Sequence, residues 1–282
     1  MSETSFLAEP EPVRLVVDAG NTNIAFAIYT GDRRRGTWRI STNSRRTGDE
    51  YAVWLSQLMA LEGLRPSDVE EAVVGSVVPG VTDNLRFLCT GYFGGLPLIV
   101  GEGGIRPDVT VRLDRPDDVG ADRLVNALAV HESYPGPTIV VDFGTATTFD
   151  VIAADGAYEG GIIAPGIHAS MDALYSAAAK LPGVSVQRPD RVIGKSTVSA
   201  IQSGVFWGYI GLIEGLLTRI ANEHGGEPTV VGTGGLAPMF EPETKAIHYV
   251  DSDLTLRGLL RVAQAHGRRR SGSAPRNLNG TL

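Results

Sequence analysis

Cysteine is nearly missing from this 282-residue chain. Cys89 stands alone, which excludes an internal disulfide and any cysteine-rich metal site. Phe87, Leu88 and Tyr92 around it suggest an inert core thiol. Histidine is scarce too, with five residues and no paired ligand spacing, so a histidine metal site is not expected. Positive charge is in deficit, and the net charge of -7 argues against nucleic acid as a partner, since a phosphate backbone calls for clustered Lys and Arg. The basic cluster Arg268, Arg269, Arg270 falls in a stretch with Gly, Ser and Pro that reads as a solvated tail. No uncharged apolar run is long enough to span a bilayer; the best, Phe87–Gly101, is broken by glycines and Pro97, so no membrane partner is expected. The first residues carry Glu3, Glu9 and Glu11 and show no secretory signal, which makes a cytoplasmic location the expectation.

What is present suits one large or two ordinary domains. Apolar residues make up 43%, enough for a substantial core. After a loose tail over residues 1–12, Val13–Asp18, Ile24–Tyr29 and Gly36–Ile40 read as short strands with tight turns. A helix follows over Asp49–Glu62, then a strand at Glu71–Val77, a helix opened by Pro79, a strand at Pro97–Val100 and a helix from Gly120 to Ser133. The second half begins the same way, with strands at Thr138–Asp142 and Thr148–Ala153. Helices at Ile167–Lys180 and Thr197–Asn222 follow, then strands at Thr229–Val231 and Ala246–Val250 and a last helix over Leu254–Ala265. Tyr134-Pro135-Gly136-Pro137 can continue neither helix nor central strand, so the domains are expected at 13–134 and 135–266, with a basic tail at 267–282.

Each half opens with an apolar strand that delivers Asp-x-Gly: Asp18-Ala19-Gly20-Asn21-Thr22, and Asp142-Phe143-Gly144-Thr145, 124 positions later. Such a turn combines a glycine that lets backbone N–H groups approach phosphate, a threonine donor and a carboxylate suited to Mg²⁺ or its waters. Phosphoryl transfer needs little more than positioning and charge neutralisation. Two such turns facing a cleft would hold a nucleoside triphosphate from both sides. Gly120-Ala121-Asp122-Arg123 opens a helix, where Asp122 could take the proton of an attacking alcohol and Arg123 could pair with a substrate carboxylate. An acidic residue favourable to the helix dipole is the alternative reading of Asp122.

Two motifs imitate other nucleotide sites. Gly194-Lys195-Ser196 resembles the end of a P-loop, but Pro189 stands where the pattern needs glycine and no convincing strand precedes it. Gly232-Thr233-Gly234-Gly235-Leu236-Ala237 imitates a dinucleotide fingerprint, yet too little chain follows Asp251 to complete that fold. The glycine turn reads better as a nucleotide contact of a kinase.

Together with Gly160-Gly-Ile-Ile-Ala-Pro-Gly166 and Leu181-Pro182, these motifs occur in the order seen in type III pantothenate kinases, which residues 14–260 resemble. The resemblance implies a duplicated actin-like (ribonuclease H-like) fold: two mixed-sheet α/β halves with a nucleotide cleft between them. It implies transfer of the ATP γ-phosphate to pantothenate, the first step toward coenzyme A. Residue by residue, Asp18, Ala19, Gly20, Asn21, Thr22, Asn23, Ile24 and Ala25 resemble the ATP-phosphate loop, with Asp18 near Mg²⁺. Thr145, Gly234 and Gly235 resemble further ATP contacts, and Asp142 the ligand of a monovalent cation, K⁺ or NH₄⁺. Gly120, Ala121, Asp122, Arg123 and Thr197 resemble the pantothenate site, with Asp122 its catalytic base. A homodimer is also implied. Leu113-Asp114-Arg115-Pro116 departs from the family, many members of which have Tyr-x-x-Pro lining the acceptor pocket. A kinase for another hydroxylated acceptor, or a nucleotide-binding regulatory protein, stands as the alternative.

Overall fold

The computed structural model describes residues 11–178 and 181–272. The expected N-terminal tail, up to Pro10, and the expected C-terminal tail beyond Gly272 lie outside the described residues. The chain divides into two compact units, residues 1–107 with 259–282, and residues 108–258.

In the first unit β1 (Val13–Ala19), β2 (Asn23–Thr30) and β3 (Arg33–Ser41) form an antiparallel meander. Gly31, at φ 57°, makes the second turn, a conformation glycine adopts without strain. Helix α1 (Gly48–Leu61) starts from a capping box in which the Thr47 side chain accepts from the Glu50 N–H and Glu50 accepts from the Thr47 N–H. β4 (Glu71–Ser76) lies parallel to β1, α2 (Pro79–Tyr92) has proline in its first turn, and β5 (Leu98–Ile99) completes the order β3-β2-β1-β4-β5. Leu15, Val17, Phe26 and Ile28 on the sheet pack with Tyr51 and Leu55 of α1 and Leu85 and Leu88 of α2. Cys89 sits in this core, where burial pushes its thiol up to about 12, as an inert thiol should be.

The second unit repeats the plan. Helix α3 (Ala121–Ser133) precedes the meander β6 (Thr138–Phe143), β7 (Ala146–Ile152) and β8 (Tyr158–Pro165). Helices α4 (Ile167–Ala177) and α5 (Thr197–His224) follow, then β9 (Thr229–Gly234), the short α6 (Ala237–Phe240) and β10 (Tyr249–Val250), and the unit ends in the first turn of α7 (Leu254–Gly272), whose residues from Leu259 on belong to the first unit. The sheet order β10-β9-β6-β7-β8 is the order of the first sheet read from its other edge. Asp18 and Asp142 therefore hold corresponding places. Asp18 pairs with Ala25 and Gly75, and Asp142 with Thr148 and Thr233.

Several boundaries differ from expectation. Helix α3, placed with the first half on sequence, belongs to the second unit. Its Leu124, Ala127, Ala129 and Val130 share a core with Val140, Ile152, Tyr158 and Val231. The Pro-Gly-Pro stretch ends the helix, but an apolar helix face follows the sheet it can cover, so the units divide near Pro107 instead. At the C-terminus the helix runs through Arg268, Arg269 and Arg270 to Gly272; it tolerates Gly258 and Gly267 within it, and no proline stands in that stretch to stop it. β8 has no counterpart in the sequence reading, since Gly160 and Gly161 weaken the strand pattern. Helix α5 is long and apolar enough to cross a membrane, a possibility the run from Phe87 obscured. Its Phe206, Ile210, Ile213, Leu217 and Ile220 instead fill the core of the second unit.

Candidate active site

In the first unit β1 hands Asp18 to a tight turn. The Gly20 N–H donates to Asn23 O at 3.0 Å, and Asn21, Thr22 and Asn23 are exposed. Asp18 is half-buried at the end of its strand. Ile24 and Ala25, assigned to the same loop on sequence, already belong to β2 and are buried, so the accessible part is Gly20–Asn23. Ala19 is buried as well and its carbonyl accepts from the Val77 N–H at 3.2 Å.

In the second unit β6 hands Asp142 to the turn Gly144-Thr145, closed by the Gly144 N–H donating to Ala146 O at 3.1 Å. Gly234 lies beside it at φ 88°, and a Cβ there would stand 2.6 Å from Phe143 O and 2.8 Å from Asp142 Oδ1. A carbonyl and a carboxylate oxygen thus border a space that only glycine leaves open, the donor chemistry a cation such as K⁺ takes. Asn126 of α3 is buried nearby; its Nδ2 donates to Asp142 Oδ2 at 3.5 Å, and its Oδ1 accepts from Thr255 Oγ1 at 2.8 Å. Gly166 closes the other side of the turn, since a Cβ there would meet Thr145 O at 2.1 Å. Among the described residues no group of three or more His, Cys, Asp or Glu could hold a metal. A Mg²⁺ here would rest on a single carboxylate and the phosphates of a nucleotide, as is usual for that ion.

Asp122 is exposed in the first turn of α3, where the helix dipole favours an anion. A Cβ at Gly120 would stand 2.5 Å from Asp122 Oδ1, a contact the exposed carboxylate can relieve by turning. Arg123 turns the other way, onto Asp150 of β7: Nε donates to Oδ1 at 2.6 Å, and Nη2 stands 2.6 Å from the same oxygen. Only Nε–H is aligned with that oxygen, so Nη2 is a buried donor without a hydrogen-bond acceptor. Tyr158 Oη donates to Asp150 Oδ1 at 2.8 Å, Thr148 Oγ1 to Oδ2 at 3.2 Å, and the guanidinium lies 5.5 Å from the Tyr158 ring centre. Asp150 is fully buried, and burial pushes its carboxyl above the usual carboxylate range against the pull of Arg123, Tyr158 and Thr148. Leu113 lines the same region, with Cδ2 3.5 Å from where a Gly160 Cβ would be.

In the second unit Asp122 and Arg123 open α3, Asn126 of the same helix reaches Asp142 at the end of β6, Gly234 of β9 lies beside Asp142, and Thr145 follows in the turn. Gly235 follows in the turn after β9. Thr197 stands apart, exposed at the first turn of α5 with no side-chain hydrogen bond among the described residues. Gly194-Lys195-Ser196 cradles no phosphate: Ser196 caps α5, and Gly194 packs so closely that a Cβ would meet Ala200 N at 2.4 Å. The roles of Asp150, Tyr158 and Asn126 have no sequence-level assignment. The visible signal is Asp150 itself, a charge between Phe149 and Val151 in a strand with both neighbours apolar.

Residues 14–219 match the family model described as type III pantothenate kinase. Type III pantothenate kinases of Paramagnetospirillum magneticum and Maricaulis maris are each 57% identical, over 88% of this chain and 95% of the first, and over 90% and 98% for the second. Among solved structures, a Campylobacter jejuni protein assigned to the Baf family of transcriptional activators superposes with a TM-score of 0.53 at 17% identity, over 90% of this chain and 99% of that one. A Sinorhizobium meliloti protein assigned as a 2-dehydro-3-deoxygalactonokinase gives 0.50 at 16%, over 95% and 100%. At those identities the two structures speak for the duplicated actin-like fold alone. With more than half its length matched by the family model and relatives this similar over nearly their whole length, the chain belongs to the type III pantothenate kinase family.

Proposed function

We propose that this chain performs its family's reaction, transfer of the ATP γ-phosphate to pantothenate, with Asp122 as catalytic base and Arg123 as the anchor of the substrate carboxylate. The acceptor hydroxyl attacks the γ-phosphorus, the bond to the β,γ-bridging oxygen breaks, and ADP leaves as the proton passes to Asp122. The observation that carries this reading is the first turn of α3, an exposed carboxylate beside an arginine fixed by a buried aspartate. Gly120 and Ala121 complete that turn, and Thr197 is assigned to the same substrate by resemblance. Gly20–Asn23 in the first unit and Thr145, Gly234 and Gly235 in the second are each assigned to ATP by resemblance. Asp18 holds Mg²⁺, and Asp142 with Phe143 O holds K⁺ or NH₄⁺; the two cations neutralise phosphate charge. The reaction takes place in the cytoplasm, where ATP is supplied.

ADP release with pantothenate tests this assignment. It should require Mg²⁺ and rise several-fold when K⁺ or NH₄⁺ replaces Na⁺, and the rise should disappear in Asp142→Ala. Equal rates in K⁺ and Na⁺ would count against the cation site.

The working form is a homodimer. The apolar face of α3 gives it no support, because Leu124, Ala127, Ala129 and Val130 are buried within their own unit. Its support is the set Ile163, Leu174, Val192, Ile193 and Val198, exposed on β8, α4, the following loop and the start of α5. Light scattering at assay concentration should give twice the 29.9 kDa chain mass, and an active monomer would contradict it.

A further inference from the structure

The ATP-phosphate turn is held from outside by a residue the reaction has not used. Thr42, just past the end of β3, contacts the turn twice: its N–H donates to Thr22 O at 2.9 Å, and its Oγ1 donates to Gly20 O at 2.6 Å. With Gly20 N–H donating to Asn23 O, the carbonyls of Gly20, Thr22 and Asn23 are all occupied by the protein. In a trans peptide the N–H points opposite to the C=O, and there is no cis bond among the described residues. Tying the Gly20 and Thr22 carbonyls to Thr42 therefore turns the N–H groups of Asn21 and Asn23 away from it. Those residues are exposed, and backbone N–H groups held on the side away from Thr42 are available to a phosphate oxygen. Thr42 is itself fixed by a turn in which the Arg45 N–H donates to Asn43 Oδ1 at 2.9 Å and the Arg46 N–H to Asn43 O at 3.1 Å.

We propose that Thr42 is a positioning residue for ATP, aiming the Asn21 and Asn23 N–H groups at the phosphates by holding the carbonyls of Gly20 and Thr22. The proposal rests on the reading of Gly20–Asn23 as the phosphate loop. Thr42→Val keeps the shape and the backbone bond and removes the hydroxyl bond to Gly20. A net hydrogen bond of ordinary strength corresponds to roughly a 3–10-fold rise in KM for ATP. The KM for pantothenate should stay at its wild-type value and the unfolding temperature should fall by no more than a few degrees, and Thr42→Ser, which keeps the hydroxyl, should restore the ATP KM to within about twofold. Thr42→Ala should behave as Thr42→Val, which covers the case in which valine fails to fold. A wild-type ATP KM in both hydroxyl-free variants would overturn the proposal, as would a serine variant no better than valine. Asp18→Asn separates this failure from that of the loop assignment. If it raises the ATP KM while Thr42→Val does not, only the role of Thr42 falls; if neither does, the loop reading and the proposal fall together.

Discussion

Replacing Asp122 by asparagine should lower kcat by about 10²–10⁴-fold while ATP still binds. The substitution is nearly isosteric, so the close packing of this side chain over Gly120, where a Cβ would come within 2.5 Å of Oδ1, is retained. What is lost is the capacity to accept a proton. Asp122 is exposed and makes no ion pair among the described residues, so the fold has little to lose from the change. Nucleotide binding, read by titration with ATP, should be near normal, which separates a missing base from a damaged site. Turnover within a few-fold of wild type would transfer the role of base to another group.

Asp150→Ala should have the largest effect on stability, about 3–5 kcal/mol, the usual consequence of leaving one member of a buried ion pair without its partner. Asp150 is fully buried and the Arg123 side chain is 17% exposed, so solvent can do little to replace the lost carboxylate. The hydroxyls of Tyr158 and Thr148 would lose their acceptor at the same time. The chain has two units and need not unfold in one step, so the denaturation transition that reports the second unit is the one to follow. A midpoint shift equivalent to less than about 1 kcal/mol would mean that Arg123 finds another partner.

Much of the fold is legible because the two halves carry one pattern. An apolar strand ending in Asp-x-Gly, followed by a second strand, appears in the sequence at both Asp18 and Asp142, and the sheets match in strand order. β8 is less visible because its glycines are there for close approach: a Cβ at Gly161 would stand 2.1 Å from Phe149 O. The unit boundary is obscured for a different reason. Helix α3 ends at a Pro-Gly-Pro break that looks like a linker, yet its apolar side faces the sheet that comes after the break. Turn residues of the site are legible from their glycines and carboxylates. Their supports, Asp150 behind Arg123, Asn126 behind Asp142 and Thr42 behind Gly20, are not, since they act through contacts between residues 16–27 positions apart. No local motif records such pairings.

The central claim is pantothenate phosphorylation, and the direct measurement is the product. Incubation with ATP, Mg²⁺, K⁺ and pantothenate should yield 4'-phosphopantothenate by mass spectrometry, in equal amount to ADP, and other hydroxy acids should give little product. ADP without phosphopantothenate, or faster phosphorylation of another hydroxylated acid, would contradict the account and favour a different acceptor behind Leu113.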